Sequence, residues 1–169
     1  GVTPDIITCA KGLTNATIPM GATIVQDYIY ESMLENADAP IELFHGYTYS
    51  GHPVACAAAL ATLDIYKEEG LFEHAGEQAP KIEKAAHSLK GTKHIIDIRN
   101  LGVIAALELE PRGNAVGARG FEVMKKAWDM GLMVRANGDT LAFSPPLIVQ
   151  DSQIDEMFTT VKSALEQVD

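Results

Sequence analysis

The sequence predicts an α/β fold that ends in a smaller α+β domain, and three features carry that prediction. A short, apolar, partly β-branched run, Ile6-Ile7-Thr8-Cys9-Ala10, closes on Lys11-Gly12 as a buried strand ending at a turn does. An alanine-rich stretch opens at Pro53, a residue favoured at the first helical position, and runs to Glu69 before Gly70. Beyond residue 70, short β-rich and helical segments alternate with short loops. A hydrophobic content of 47% over 169 residues is what a globular core requires.

Taken in order, Ile6 to Ala10 is the first strand and Gly21-Ala22-Thr23-Ile24-Val25 the second. Gln26 to Asn36 reads as a short helix with apolar positions at Tyr28, Ile29, Met33 and Leu34, and the polar, proline-bearing stretch Asn36 to Glu42 as a loop. The helix from Pro53 is followed by an amphipathic one between about Phe72 and Leu89. His94 to Glu110 holds two β-rich runs around Gly102, and Phe121 to Met130 reads as helical. Leu132 to Arg135 and Thr140 to Phe143 read as strands, and Asp151 to Val168 as a terminal helix capped by Asp151 or Ser152. The domain boundary is placed at 69/70.

A net charge of -10 and a pI near 4.9 argue against nucleic acid and anionic membranes as partners and favour a small molecule. No apolar run reaches the roughly 20 residues needed to span a bilayer, and no signal segment opens the chain, so a cytoplasmic location is expected. Cys9 and Cys56, flanked by small or apolar residues, read as buried free thiols. The chain opens on Gly1 and passes directly to Pro4-Asp5-Ile6, as a piece of something longer would.

Lys11 follows an apolar strand and precedes a glycine, at the strand end beyond which open α/β sheets bind ligands. Poor solvation there would make its amine a usable nucleophile toward a carbonyl; a solvated lysine at a strand end is the plain alternative. His45-Gly46-Tyr47-Thr48-Tyr49-Ser50-Gly51-His52-Pro53 is a hydroxyl- and glycine-rich loop feeding a helix N-terminus, which suits a phosphate, unless Ser50 or a neighbour simply caps the helix. His45 and His52 lack a third ligand nearby and read as structural groups, so no metal site is expected. Arg135, before a Gly138-Asp139 turn, could grip a carboxylate through both nitrogens or pair with Asp139 or another of the many acids. Arg99 reads as a structural ion pair.

In this order and spacing the segments resemble one family. Pro4-Asp5-Ile6-Ile7-Thr8-Cys9-Ala10-Lys11-Gly12-Leu13-Thr14 with Pro19-Met20-Gly21-Ala22 is similar to the cofactor-lysine signature of class III (ω-amino acid) aminotransferases. His45 to Ala59 resembles their phosphate loop and following helix. Ile96 to Gly102 and Val134 to Pro146 resemble their C-terminal domain. The loop, with Arg135 and Gly138-Asp139-Thr140-Leu141, is most similar to β-alanine (ω-amino acid):pyruvate aminotransferases. Asn15-Ala16-Thr17 departs from the pattern where many relatives carry glycine, which bears on the floor of the substrate pocket.

The resemblance implies a PLP-dependent transferase of fold type I. Residues 1–69 would be the C-terminal portion of the large PLP-binding domain, with the interdomain helix, and 70–169 the small C-terminal α+β domain. It implies that Lys11 forms the Schiff base with pyridoxal 5'-phosphate (PLP), then shuttles a proton between donor carbon and cofactor. Tyr47 and Thr48 would bind the cofactor phosphate, the loop reaching a neighbouring subunit, so a homodimer or larger homo-oligomer is implied. Arg135 would bind the carboxylate of pyruvate or of an amino acid donor. The acid that partners the pyridine nitrogen and the aromatic that stacks on the ring lie upstream of the lysine in the family, so the chain alone is expected to have little or no turnover. Other enzymes of the fold, such as a γ-aminobutyrate-type transaminase, an aminomutase or a decarboxylase, use the same lysine and loop. A non-catalytic folding or dimerisation module is the alternative from another class.

Overall fold

The computed structural model describes residues 1–35, 37, 46 and 48–169, and divides the chain into two units, Gly1–Glu69 and Gly70–Asp169. In the first unit β1 (Ile6–Ala10) and β2 (Gly21–Val25) pair antiparallel, in register from Ile6↔Val25 to Ala10↔Gly21. The 11–20 segment is therefore the connection of a strand pair, and Lys11 is its first residue. Expected as a buried strand, β1 is exposed within these 169 residues, with Ile6 and Ile7 at 55% and 46% and Ile24 of β2 at 55%. Apolar content alone does not bury a strand; an element must cover its face. Cys9 and Cys56 are free thiols but only half-buried.

The described residues of this unit also form two helices, α1 (Asp27–Glu35) and α2 (Pro53–Glu68). Pro53 stands in the first turn of α2, where its missing N–H costs nothing. The helix turns its small residues Ala55, Ala59 and Thr62 to one buried side and ends before Gly70, which takes the left-handed conformation at φ 60°. Much of the Asn36 to Glu42 loop, with His45 and Tyr47, lies outside the described residues.

The second unit holds α3 (Leu71–His87), β3 (Ile95–Leu101), β4 (Ile104–Leu109), α4 (Ala118–Asp129), β5 (Arg135–Asn137), β6 (Thr140–Phe143) and α5 (Asp151–Glu166). Its antiparallel sheet runs β3-β4-β6-β5. Ala105, Leu107 and Leu109 alternate along β4 toward the core, where Leu141 and Phe143 of β6 join Ile82 of α3, Val123 of α4 and Phe158 of α5. Phe143 and Phe158 pack with ring centroids 5.0 Å apart. Burying such side chains stabilises by about 1.5–3 kcal/mol each, so this unit has a closed core of its own.

Three expectations need correction here. The strand read over Leu132 to Arg135 begins at Arg135, because the Leu132 N–H still bonds the Ala127 carbonyl at the end of α4 and the Asn137↔Thr140 pair sets the hairpin register. The helix read from Phe121 begins at Ala118. The terminal helix is capped by Gln150 rather than Asp151 or Ser152: the Gln150 N–H donates to Gln153 Oε1 at 2.9 Å.

Candidate active site

Lys11 leaves β1 with φ at 58°, in the left-handed region that costs a side-chain-bearing residue about 1–2 kcal/mol. Strain of this kind persists where surrounding structure imposes it, and gathers at functional positions. The Lys11 carbonyl accepts from the N–H groups of Thr14 at 3.3 Å and Ala16 at 3.2 Å, which curls the chain back on itself. Thr14, only 1% exposed, donates its hydroxyl to the Ile18 carbonyl at 2.7 Å and pins the far side of the loop. From α2, the Tyr66 hydroxyl donates to the Gly12 carbonyl. The Lys11 side chain is exposed and has no ion-pair partner among the described residues. The poor solvation expected for it is thus not found within this chain.

Asn15 and Ala16, where the sequence departs from glycine, also take left-handed values, 48° and 57°. The loop keeps a glycine-like backbone without the glycines. Asparagine visits this region more readily than alanine does.

Thr48, Tyr49 and Ser50 form an exposed turn directly ahead of α2. The N-cap of α2 is His52, with no side-chain cap hydrogen bond, so Ser50 does not cap this helix. A helix start without a side-chain cap from its N-cap residue, next to hydroxyls, is an arrangement that favours an anion. Tyr47 lies outside the described residues.

Arg135 opens the three-residue edge strand β5, opposite Ala142 of β6. It lines an apolar cleft of about 450 Å³ with Val134, Phe143, Pro145 and Met157. The alternative pairing with Asp139 does not occur. Asp139 is buried and its carboxylate accepts from the N–H groups of Gly117, at 2.6 Å, and Gly120, at 2.9 Å, at the start of α4. Among the described residues no acid pairs with Arg135. Arg99 is different: its guanidinium meets Asp97 and Glu108, each at 2.5 Å, as expected of a structural ion pair. Those bonds, to Glu108 foremost, raise its pKa further.

The aminotransferase class-III family model matches residues 1–165. The chain belongs to the class-III aminotransferase family. It is 53% identical to the omega-aminotransferase of Caulobacter vibrioides and 44% identical to the beta-alanine–pyruvate aminotransferase of Pseudomonas aeruginosa, over 100% and 99% of its length. It spans 38% of the length of each of these curated relatives. An amine transaminase from an uncultivated Pseudomonas species, solved in its PLP-bound (internal aldimine) form, superposes with a TM-score of 0.90 at 32% identity, over 99% of this chain and 39% of that one. Class-III aminotransferases are PLP-dependent, and the fold of this chain is that of part of a PLP-dependent transaminase.

In this class-III aminotransferase chain, Lys11 and Thr48 belong to the first unit and Arg135 to the second. Residue-type reasoning gave no role to Thr14 or Tyr66 and read Asp139 only as a partner for Arg135, yet all three hold the backbone on which the candidate residues stand. A threonine buried in a polar loop is the one sequence-level signal that Thr14 offers; Tyr66 and Asp139 act across 54 and about 20 residues and give none locally.

Proposed function

We propose that the protein transfers an amino group from an ω-amino acid, such as β-alanine, or from an amine, to pyruvate, with PLP held covalently on Lys11. The observation that carries the reading is Lys11 itself, on a strained backbone and with no ion-pair partner among the described residues, at the end of β1 inside the family's matched segment. The similarity to the two named relatives supports the substrate class. Residues 1–69 read as the closing part of a large cofactor-binding domain and 70–169 as the small domain.

The residues present fit the cofactor. An exposed amine suits its aldehyde, and the Thr48 hydroxyl ahead of the open α2 N-terminus suits its phosphate, with Tyr47 in the same loop. When bound, PLP supplies an electron sink for the donor carbon. Lys11 Nζ acts as the nucleophile that holds it and, when released, as the base that moves a proton. Arg135 offers two parallel N–H donors to a carboxylate in an apolar cleft, where water competes less. The parent enzyme is proposed to be a cytoplasmic homo-oligomer, because a phosphate loop offered at the surface can serve a neighbouring subunit.

The test is reduction of the PLP-loaded, full-length protein with borohydride, followed by peptide mapping. The adduct is expected on Lys11, and Lys11→Ala should lower turnover on the order of a thousandfold. An adduct elsewhere, or none, would remove the assignment.

A further inference from the structure

We propose that Asp139 is the positioning residue for Arg135, and that carboxylate selectivity is set through a clip between the β5–β6 turn and the start of α4. This rests on the reading of Arg135 as the carboxylate-binding residue.

Arg135 stands on a weak platform. β5 is three residues long, lies at the sheet edge, and is held on one side only, through the pairs Arg135↔Ala142, Ala136↔Leu141 and Asn137↔Thr140. A strand so short frays unless its turn is fixed. Asp139 fixes it twice. Its carbonyl accepts from the Leu109 N–H of β4 at 2.9 Å, and its carboxylate takes the Gly117 and Gly120 N–H groups at 2.6 and 2.9 Å.

Those donors belong to an α4 start whose own N-cap, Gly117, has no side chain to offer. The carboxylate therefore substitutes for a local cap and meets the positive end of the helix. The two backbones come so close that a Cβ on Gly120 would lie 2.3 Å from the Gly138 oxygen. Glycine is required there. Gly138, at φ 59°, completes the turn.

Asp139 thus joins three elements, its carbonyl tying the hairpin carrying Arg135 to β4 and its carboxylate tying it to α4, while making no contact with the cleft that Arg135 lines. An asparagine at 139 has a single acceptor oxygen and places an amide N–H₂ against the second donor. The turn loosens and Arg135 loses its fixed reach. A displacement of about 1 Å can cost up to a hundredfold in rate.

The experiment compares, in the full-length PLP-loaded enzyme, kcat/KM for a carboxylate-bearing donor and for a donor amine without a carboxylate. Asp139→Asn is expected to lower the ratio of the two on the order of tenfold, with the loss in KM for the carboxylate substrate. Ile82→Val, a core substitution in α3, lowers stability and leaves the ratio unchanged. Should Asp139→Asn fail to give soluble enzyme, Gly138→Ala, whose added Cβ meets nothing within 4 Å but strains the left-handed turn, is read in its place. Arg135→Ala separates the two claims. If it abolishes the carboxylate preference and neither clip variant alters it, the positioning role of Asp139 is overturned and the reading of Arg135 stands. If Arg135→Ala leaves the preference intact, the reading of Arg135 itself falls.

Discussion

Tyr66, near the end of α2, donates its phenolic O–H to the carbonyl of Gly12 at 2.6 Å, joining residues 54 apart in sequence. The bond falls on the Gly12–Leu13 peptide, one residue beyond the strained Lys11, so α2 braces the turn from which the lysine projects. Tyr66→Phe keeps the ring and removes the donor. It should cost about 0.5–1.5 kcal/mol, seen as a lower unfolding midpoint, and should slow formation of the borohydride-reducible adduct. An adduct formed at the wild-type rate would restrict Tyr66 to stability.

The loop beyond Lys11 carries a second, separable strain at Ala16. Relief of a left-handed alanine is worth about 1–2 kcal/mol, of which the greater freedom of glycine in the unfolded chain cancels about 0.5–1. Ala16→Gly should therefore raise stability by roughly 0.5 kcal/mol, whereas Ala16→Val, β-branched at a positive φ, should lower it. Denaturant midpoints of the two variants decide the matter. A stabilising valine would mean that the turn is not left-handed.

Arg99 and Arg135 lie in one row across the sheet, linked by the pairs Arg99↔Ala106, Ala106↔Ala142 and Ala142↔Arg135, yet their surroundings give them opposite expected effects. Arg99 is half exposed, and surface pairs of this kind contribute about 0–1 kcal/mol. Arg99→Ala should shift stability slightly and leave substrate preference alone. Arg135→Ala should leave stability unchanged and raise KM for carboxylate substrates by the equivalent of about 1.5–3 kcal/mol, the worth of a charged hydrogen bond. Steady-state kinetics with both variants would expose an error if the effects were reversed.

Asp151, in the first turn of α5, is held below its ordinary pKa of 3.8, chiefly by the Lys81 ammonium bonded to it at 2.7 Å. A depressed folded value means that the stabilisation is complete above the ordinary carboxylate pKa and is lost as pH falls through the folded one. Asp151→Asn should lower stability by a small, constant amount at neutral pH and remove that part of the acid limb below about pH 4, the two curves meeting only at the lowest pH. Superimposable acid limbs for the two proteins would show that the pair contributes nothing.

How much of this was legible in the sequence varies along the chain. The helices and most strands of residues 70–169 follow from their periodicity, because each element buries one face in a core built from the same segment. The start of α4 was not legible: Ala118-Arg119-Gly120 has no local cap, and the carboxylate that caps it arrives from Asp139. The strand after α4 was misplaced because Leu132 to Val134 are apolar for packing reasons, while the Asn137↔Thr140 turn fixes the pairing. Burial of β1 was inferred from Ile6 and Ile7, but a strand pair has two faces and the sequence does not say what lies over them. At the candidate site the residue types Lys11, Thr48 and Arg135 could be picked out in advance, whereas the left-handed turn at Lys11, with no glycine to announce it, could not.

The core of residues 70–169 closes without help from the residues before it, and the hairpin bearing Arg135 is fastened within that same segment. On the proposed reading of Arg135, substrate preference is inherited as a cassette: exchanging residues 70–169 between relatives would move the arginine, its hairpin and its fastening together. Grafting Arg135 alone would move only the first of these.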